Sequence, residues 1–367
     1  MRIAMIGIRG LPARSGGAER VVEELSVRLA GRGHEMLVYS RHSYTNGQAC
    51  PAGIQRIFTP ALPGKHLETI SHCATALVDV LGRKVDLVHL HSPGPALLSW
   101  LPALASVPVV LTIHADDWDR TRWSSLARWA LRQGLATGGR CAREITAVSQ
   151  PLATELAARL GRTVEYIPNG VNVPAPADAS AVIAAGLQPG RFALWVGRIV
   201  PEKRLDLLLR AWAKVGGDWP LAVIGPVCDG AYGRLCRELA DRANVRMLGE
   251  RWGQELQSFY QNCGFAVLPS QLEGMSLVLL EAAAAGCSIL AADIPANVSA
   301  LGDSILYFKC NNETDLQGRI SQLIRDESLR RQLGQSARLA VPAYDWSASA
   351  RRFEQVYQRA LGPRERS

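Results

Sequence analysis

The run Arg2–Tyr39, RIAMIGIRGLPARSGGAERVVEELSVRLAGRGHEMLVY, reads as a strand, a glycine-containing loop, a helix and a second strand. Arg2–Ile8 is apolar and largely unalternating, the pattern of a parallel strand covered on both faces. Ala18–Arg32 carries helical spacing, and Glu35–Tyr39 is again strand-like. Strand, helix and strand in this order form a βαβ unit, which predicts an α/β doubly wound domain.

The same rhythm runs outward to both ends of the chain. Val85–Leu90, Val107–Ile113, Arg143–Val148 and Val164–Ile167 are further strands of a first set. Turn chemistry follows at Pro168-Asn169-Gly170, and Pro174–Asp178 has the composition of a linker. The pattern then restarts with Phe192–Val196, Leu221–Ile224, Val245–Leu248, Phe265–Leu268 and Ser288–Ala291, helices between them. The expected fold class is therefore α/β, with two Rossmann-like doubly wound domains at 1–172 and 173–345. Residues 346–367 hold an amphipathic helix with Trp346, Ala350, Phe353 and Tyr357 on one stripe.

Composition agrees with a folded protein: 48% of the 367 residues are hydrophobic and 20% are charged. The net charge of +8 is uneven, with 19 Lys and Arg against 13 Asp and Glu in residues 1–172, and 22 against 20 afterwards. A basic first half suits an anionic partner, although an arginine-rich coding bias gives the same count. Eight cysteines show no CxxC pair and no Cys/His cluster, which argues against structural zinc and a disulfide framework, and for a reducing compartment. The stretch His91–His114 holds no charge between its ends and is long enough to cross a bilayer, but Pro93, Pro95, Pro102 and Pro108 interrupt it. It reads as a loop, a short buried helix and a strand, so no transmembrane segment is expected, and no signal peptide opens the chain.

Four places can carry chemistry. The loop Gly7–Glu19 leaves a strand and enters a helix, where free backbone N–H groups favour an anion, and Gly16 and Gly17 would let a phosphate or sugar come close. An ordinary βα turn has the same residues. His114 follows the strand Val109–Ile113 and so stands at the carboxyl edge of the sheet, able to bond a sugar hydroxyl or its own backbone neighbours. The remaining histidines show no metal-binding pattern. Arg198 and Lys203, in GRIVPEKR after the strand Phe192–Val196, can stabilise a departing diphosphate without a metal, or simply cap a helix as a solvated charge run. Glu273 and Glu281 lie in EGMSLVLLE: the first in a loop, the second in the second turn of an apolar helix, where a carboxylate needs a hydrogen-bond partner. A ribose diol is one such partner; water or an arginine is another.

Taken together, these residues resemble a retaining GT-B glycosyltransferase of family 4, of the kind that assembles bacterial polysaccharide and surface glycans. The likeness rests on RGLPARSGGAERVVEELSVRLAGRGHE, VVLTIHADDW, AVSQ, YIPNGVN, VGRIVPEKRLDLLLRAW, VLPSQLEGMSLVLLEAAAAGC and YDWSASARRFEQVY, in this order. The opening, with KHLETISH, is most similar to a subgroup labelled rhamnosyltransferase-like. The resemblance implies an N-terminal acceptor domain and a C-terminal donor domain facing a cleft, with the last helix packing back on the first domain. It implies Glu273 near the donor sugar, Glu281 on the nucleotide ribose with Ser276, Leu277 and Val278 beside the donor, and Arg198 and Lys203 on the diphosphate. Gly16 and Gly17 would lie near the phosphate, and His114 near the transferred sugar. Asn172 and Asn297 depart from the family, which more often has Asp and Glu there.

The function so implied is retaining, metal-independent transfer from a nucleotide-diphosphate sugar to a glycan or lipid-linked acceptor, in the cytoplasm, with no resident cofactor and no metal. Retention would proceed with the donor phosphate taking the acceptor proton on the face it leaves, so no protein nucleophile is needed. The D-x-D-like Asp117–Asp119 spacing lies in the first domain, where the family uses no metal. Trp118, Trp123 and Trp129, interleaved with Arg120, Arg122, Arg128 and Arg132, suit an anionic membrane surface, or are buried tryptophans among solvated arginines. Nucleic acid is not expected, since no recognition motif accompanies the charge. A nucleotide-sugar epimerase of similar fold and a non-catalytic nucleotide-sugar-binding protein are the competing readings.

Overall fold

The computed structural model describes every residue except 15, 46–48, 65–66, 117–123, 227–229 and 363–367. Ser15, Lys65, His66, Cys228, the Asp117–Asp119 spacing and the tryptophan–arginine positions 118, 120, 122 and 123 thus lie outside the described residues. The chain divides into two compact units, Met1–Gly170 with Trp346–Ser367, and Val171–Asp345.

The first unit holds a parallel sheet of seven strands. They are β1 (Arg2–Ile6), β2 (Glu35–Ser40), β3 (Ile54–Phe58), β4 (Leu87–His91), β5 (Val109–Ile113), β6 (Glu144–Ala147) and β7 (Glu165–Tyr166). Their order is β3-β2-β1-β4-β5-β6-β7, with Ile3 of β1 level with Met36 of β2 and Leu87 of β4. Helix Gly17–Gly31 buries Val21, Val22, Leu25 and Leu29, one face at helical spacing. Helix Trp346–Leu361 adds Ala350, Phe353, Val356, Tyr357 and Ala360 to the same core, beside Ile3, Met5, Val38 and Val110. The strand β3 is absent from the expected set because its burial alternates and Gln55 and Arg56 break the apolar run.

The second unit holds six parallel strands in the order β10-β9-β8-β11-β12-β13. These are β8 (Ala193–Val196), β9 (Leu221–Ile224), β10 (Val245–Gly249), β11 (Phe265–Leu268), β12 (Ile289–Ala292) and β13 (Leu306–Phe308). Its core packs Trp195, Trp212, Phe265, Leu290, Leu316 and Ile320 together. The three-residue β13 is too short to show a period in sequence.

Two expectations need correction. Pro174–Asp178 is no free linker: Gln261 accepts from the Ala177 amide at 2.8 Å and donates to the Ala175 carbonyl at 2.8 Å, tacking the segment to helix Gly253–Asn262. The uncharged stretch 91–114 folds as the end of β4, two short helices Pro93–Ala96 and Trp100–Leu104, and β5. The second of these helices is not buried, with Leu104 78% exposed, because only its Pro102 face turns inward. Among the described residues no helix is long and apolar enough to cross a membrane.

Candidate functional site

Open parallel sheets bind ligands beyond the carboxyl ends of their strands, where the strand order reverses. In the second unit that point lies between β8 and β11. The loop after β8 brings Lys203 and the loop after β11 brings Glu273, and the two meet with Nζ 2.5 Å from Oε1. Their side chains are 21% and 11% exposed, so the pair is largely withdrawn from water. The Gln271 amide donates to the Glu202 carbonyl at 3.0 Å, a second tie between the loops. Arg204 is held in the left-handed region at φ 49° and bonds Asp206, Gln271 and Asn311, fixing where the loop turns into helix Leu205–Val215. Arg198 is half-buried on the same loop, and among the described residues no carboxylate pairs with it.

The backbone beneath this loop is close-packed. Gly225, after β9, has φ +146°, and a Cβ there would stand 1.8 Å from the Gly197 carbonyl oxygen. Only glycine lets the two chain segments approach this closely.

The apolar run after Glu273 forms helix Leu277–Ala284, with Ser276 as its N-cap: Oγ accepts from the Leu279 amide at 3.4 Å. A first helical turn leaves its amides without helical acceptors, so Leu277 and Val278 present N–H groups at the positive end of the helix dipole. Ser276 thus shapes the site through its cap. Glu281 lies in the second turn, half-buried, and accepts a hydrogen bond from the Tyr260 hydroxyl at 3.3 Å. Burial first, and then the Glu281 charge, push Tyr260 well above its ordinary value, so it stays a donor. Asn297 is buried and donates to the Ala292 carbonyl at 3.0 Å, at the start of helix Pro295–Leu301.

In the first unit the strand order reverses between β1 and β4. The loop after β1 closes on itself: the Arg9 Nε donates to Glu19 at 2.9 Å and the Arg9 amide at 3.3 Å. Gly16 has φ +121°, and a Cβ on it would meet the Glu19 Oε2 at 2.0 Å and an Arg9 nitrogen at 2.8 Å. Gly16 therefore makes room for the loop's own ion pair, and Gly17 opens the helix. Glu19, 6% exposed, is a carboxylate at a helix N-terminus.

His114 stands at the carboxyl end of β5, partly exposed, and its Nε2 lies 3.0 Å from Nδ1 of His91 at the end of β4. His91 and His89 are fully buried, and their rings lie 4.1 Å apart. His89 bonds the Tyr357 hydroxyl through Nδ1 at 2.8 Å and Thr112 through Nε2 at 2.7 Å, and Thr112 in turn bonds Thr146 at 2.6 Å. Burial pushes His114 down to about 4, with Glu19 opposing, and His89 down to about 3. It holds His91 well below the ordinary range. All three are neutral at pH 7. The sequence reading leaves His89 and His91 without a role. Their spacing in LVHLH, alternate residues on one strand, is the signal that puts both on one face.

Helix Ser125–Cys141 leaves Leu126 72% and Trp129 59% exposed, with Arg128 and Arg132 on the same helix. Cys263 and Cys287 lie with sulfurs 3.7 Å apart, both free thiols.

Known proteins share this architecture. Residues 15–174 match the family model Glycosyltransferase Family 4, and residues 186–340 match Glycosyl transferases group 1. The phosphatidyl-myo-inositol mannosyltransferase of Mycolicibacterium smegmatis is 27% identical over 95% of this chain and 91% of its own. Among solved structures, sucrose-phosphate synthase from Thermosynechococcus elongatus superposes with a TM-score of 0.82 at 20% identity, covering 97% of this chain and 98% of the other. The Anabaena protein HepE in complex with UDP-glucose gives 0.79 at 18% identity, over 98% and 99%. With a family 4 glycosyltransferase domain in its first half and a group 1 glycosyltransferase domain in its second, the chain is a glycosyltransferase of GT-B fold.

Proposed function

We propose that the protein is a retaining glycosyltransferase that takes its sugar from a nucleotide-diphosphate donor held by the second unit, without a metal ion. The observation that carries this is the Lys203–Glu273 pair at the strand-order reversal, beside the amides opening helix Leu277–Ala284. Arg198, Lys203 and these amides oppose the negative charge that grows on a leaving diphosphate. Glu281 accepts from a ribose hydroxyl, and Glu273 holds Lys203 in place and faces the sugar. The acceptor proton passes to the departing phosphate oxygen on the face where the new bond forms.

The acceptor is a glycan or a lipid-linked saccharide taken up by the first unit. Exposed Leu126 and Trp129 with Arg128 and Arg132 give that unit a surface suited to anionic lipid. The mannosyltransferase relative, by its name, acts on a phosphatidyl-inositol, which supports an acceptor at a membrane face. Likeness of the opening loop to the rhamnosyltransferase-like subgroup puts a rhamnosyl nucleotide among the donors to test.

The test is protection against thermal unfolding by UDP-, GDP-, ADP- and dTDP-sugars. One nucleotide should raise the melting temperature, and Arg198→Glu or Lys203→Glu should abolish the rise. Unchanged protection in both variants would remove the diphosphate assignment. Turnover of the donor alone to an isomerised sugar would replace transfer with epimerisation.

A further inference from the structure

We infer that His91 fixes the tautomer of His114, so that His114 meets its ligand as a hydrogen-bond donor through Nδ1–H. The role of His114 toward the sugar rests on the function proposed above and on the place the family resemblance implies for it; the tautomer does not.

A neutral imidazole carries one proton on two nitrogens. Nε2 of His114 is occupied by Nδ1 of His91 at 3.0 Å, so Nδ1 is the nitrogen that His114 has left for a ligand. The question is which ring donates across that contact. His91 has its other nitrogen, Nε2, sealed from solvent and without a partner among the described residues. His89, whose ring lies 4.1 Å away, has both nitrogens engaged by Tyr357 and Thr112 and offers His91 nothing.

Two arrangements remain. With its proton on Nε2, His91 would bury an N–H that has no acceptor. With its proton on Nδ1, that N–H is bonded to His114 and only a lone pair is left bare. Among buried backbone groups an orphaned N–H is rarer than an under-satisfied carbonyl, and the same preference is carried here to the ring nitrogens. The proton of His91 therefore sits on Nδ1, the Nε2 of His114 accepts it, and the proton of His114 is on Nδ1.

The consequence is chemical. A neutral His114 of this tautomer cannot take a proton through Nδ1, which rules it out as a general base for the acceptor hydroxyl. It donates to an oxygen lone pair, as a residue that orients a sugar hydroxyl does. His91, which touches no substrate, is a positioning residue.

Long-range proton–nitrogen NMR spectra of the full chain, labelled with 15N only at histidine, read each ring's tautomer directly. His91→Gln and His114→Gln identify the two sets of signals by their loss. The expected result at neutral pH is His114 and His91 both protonated at Nδ1 and bare at Nε2. Protonation of His114 at Nε2 overturns the proposal, as does a charged imidazolium at either residue.

Transfer assays then test the donor role separately. His114→Asn, which keeps an N–H near the Nδ1 position, should retain more activity than His114→Leu, with about a tenfold difference for one lost hydrogen bond. Equal, full activity in both variants would remove His114 from the sugar site while leaving its tautomer as measured.

Discussion

Lys203 and Glu273, seventy residues apart in the chain, form an ion pair of 2.5 Å that joins the loops after β8 and β11. The pair sets a cation where the strand order reverses and fixes its position there. Replacing Lys203 by Met leaves a carboxylate only 11% exposed without its counter-charge. We expect nucleotide protection to disappear and the second unit to lose about 1–3 kcal/mol, measured by urea unfolding. Glu273→Gln keeps a hydrogen-bond acceptor for Lys203, so nucleotide binding should survive while transfer falls about a hundredfold or more. Loss of nucleotide binding in Glu273→Gln and not in Lys203→Met would reverse the two roles.

Gly225 supports the loop after β8 from below. An alanine there places Cβ 1.8 Å from the Gly197 carbonyl oxygen at φ +146°, a conformation that L-residues avoid. Gly225→Ala should cost more than about 1 kcal/mol and raise the donor KM, because the strain falls on the loop that carries Arg198. A variant of wild-type stability and KM would mean that the loop shifts freely.

Tyr357 brings the last helix of the first unit into the histidine cluster through its 2.8 Å bond to His89. Tyr357→Phe removes the hydroxyl and leaves a buried ring nitrogen without a partner, at a cost of about 1–3 kcal/mol. Phe353→Ala, in the same core, should cost about 3–5 kcal/mol through the cavity left behind. Melting curves of the two variants should rank in that order.

Stability in acid follows from the buried histidines. His72 is pushed down to about 4 and His89 to about 3 from the ordinary 6.5, and His91 lies well below it, in each case chiefly by burial. Below 6.5 the unfolded chain takes up protons that the folded unit refuses, so the unfolded state binds more of them. Stability is therefore complete above 6.5 and declines as the pH falls toward about 4, by roughly 1.4 kcal/mol per pH unit for each such histidine. Urea midpoints taken across this window should fall steadily. A level midpoint would show that these rings are solvated.

Much of the architecture can be read from the chain because buried parallel strands are nearly pure apolar runs, and eleven-residue helices such as Leu205–Val215 show their buried face. β3 and β13 escape notice for opposite reasons, one being interrupted by Gln55 and Arg56 and the other having three residues. The candidate site residues Lys203, Glu273 and Glu281 stand out as charges at strand ends or inside apolar helices. Tyr260, the partner of Glu281, does not, because nothing in a tyrosine at the end of an amphipathic helix tells which carboxylate it will meet. The Arg9–Glu19 pair is hidden for a related reason: a glycine next to it reads as room for a ligand until the side chain that fills the room is seen.

The chain leaves the first unit at Gly170 and re-enters it at Trp346. A Cβ on Gly170 would stand 2.5 Å from the Trp346 amide nitrogen, so the exit and the return are neighbours. In architectural terms the second unit is a module inserted into an otherwise continuous host. Deleting 171–345 and splicing the two ends would give a contiguous protein with its closing helix in place, whereas truncation at residue 170 would strip Phe353 and Tyr357 from the host's interior.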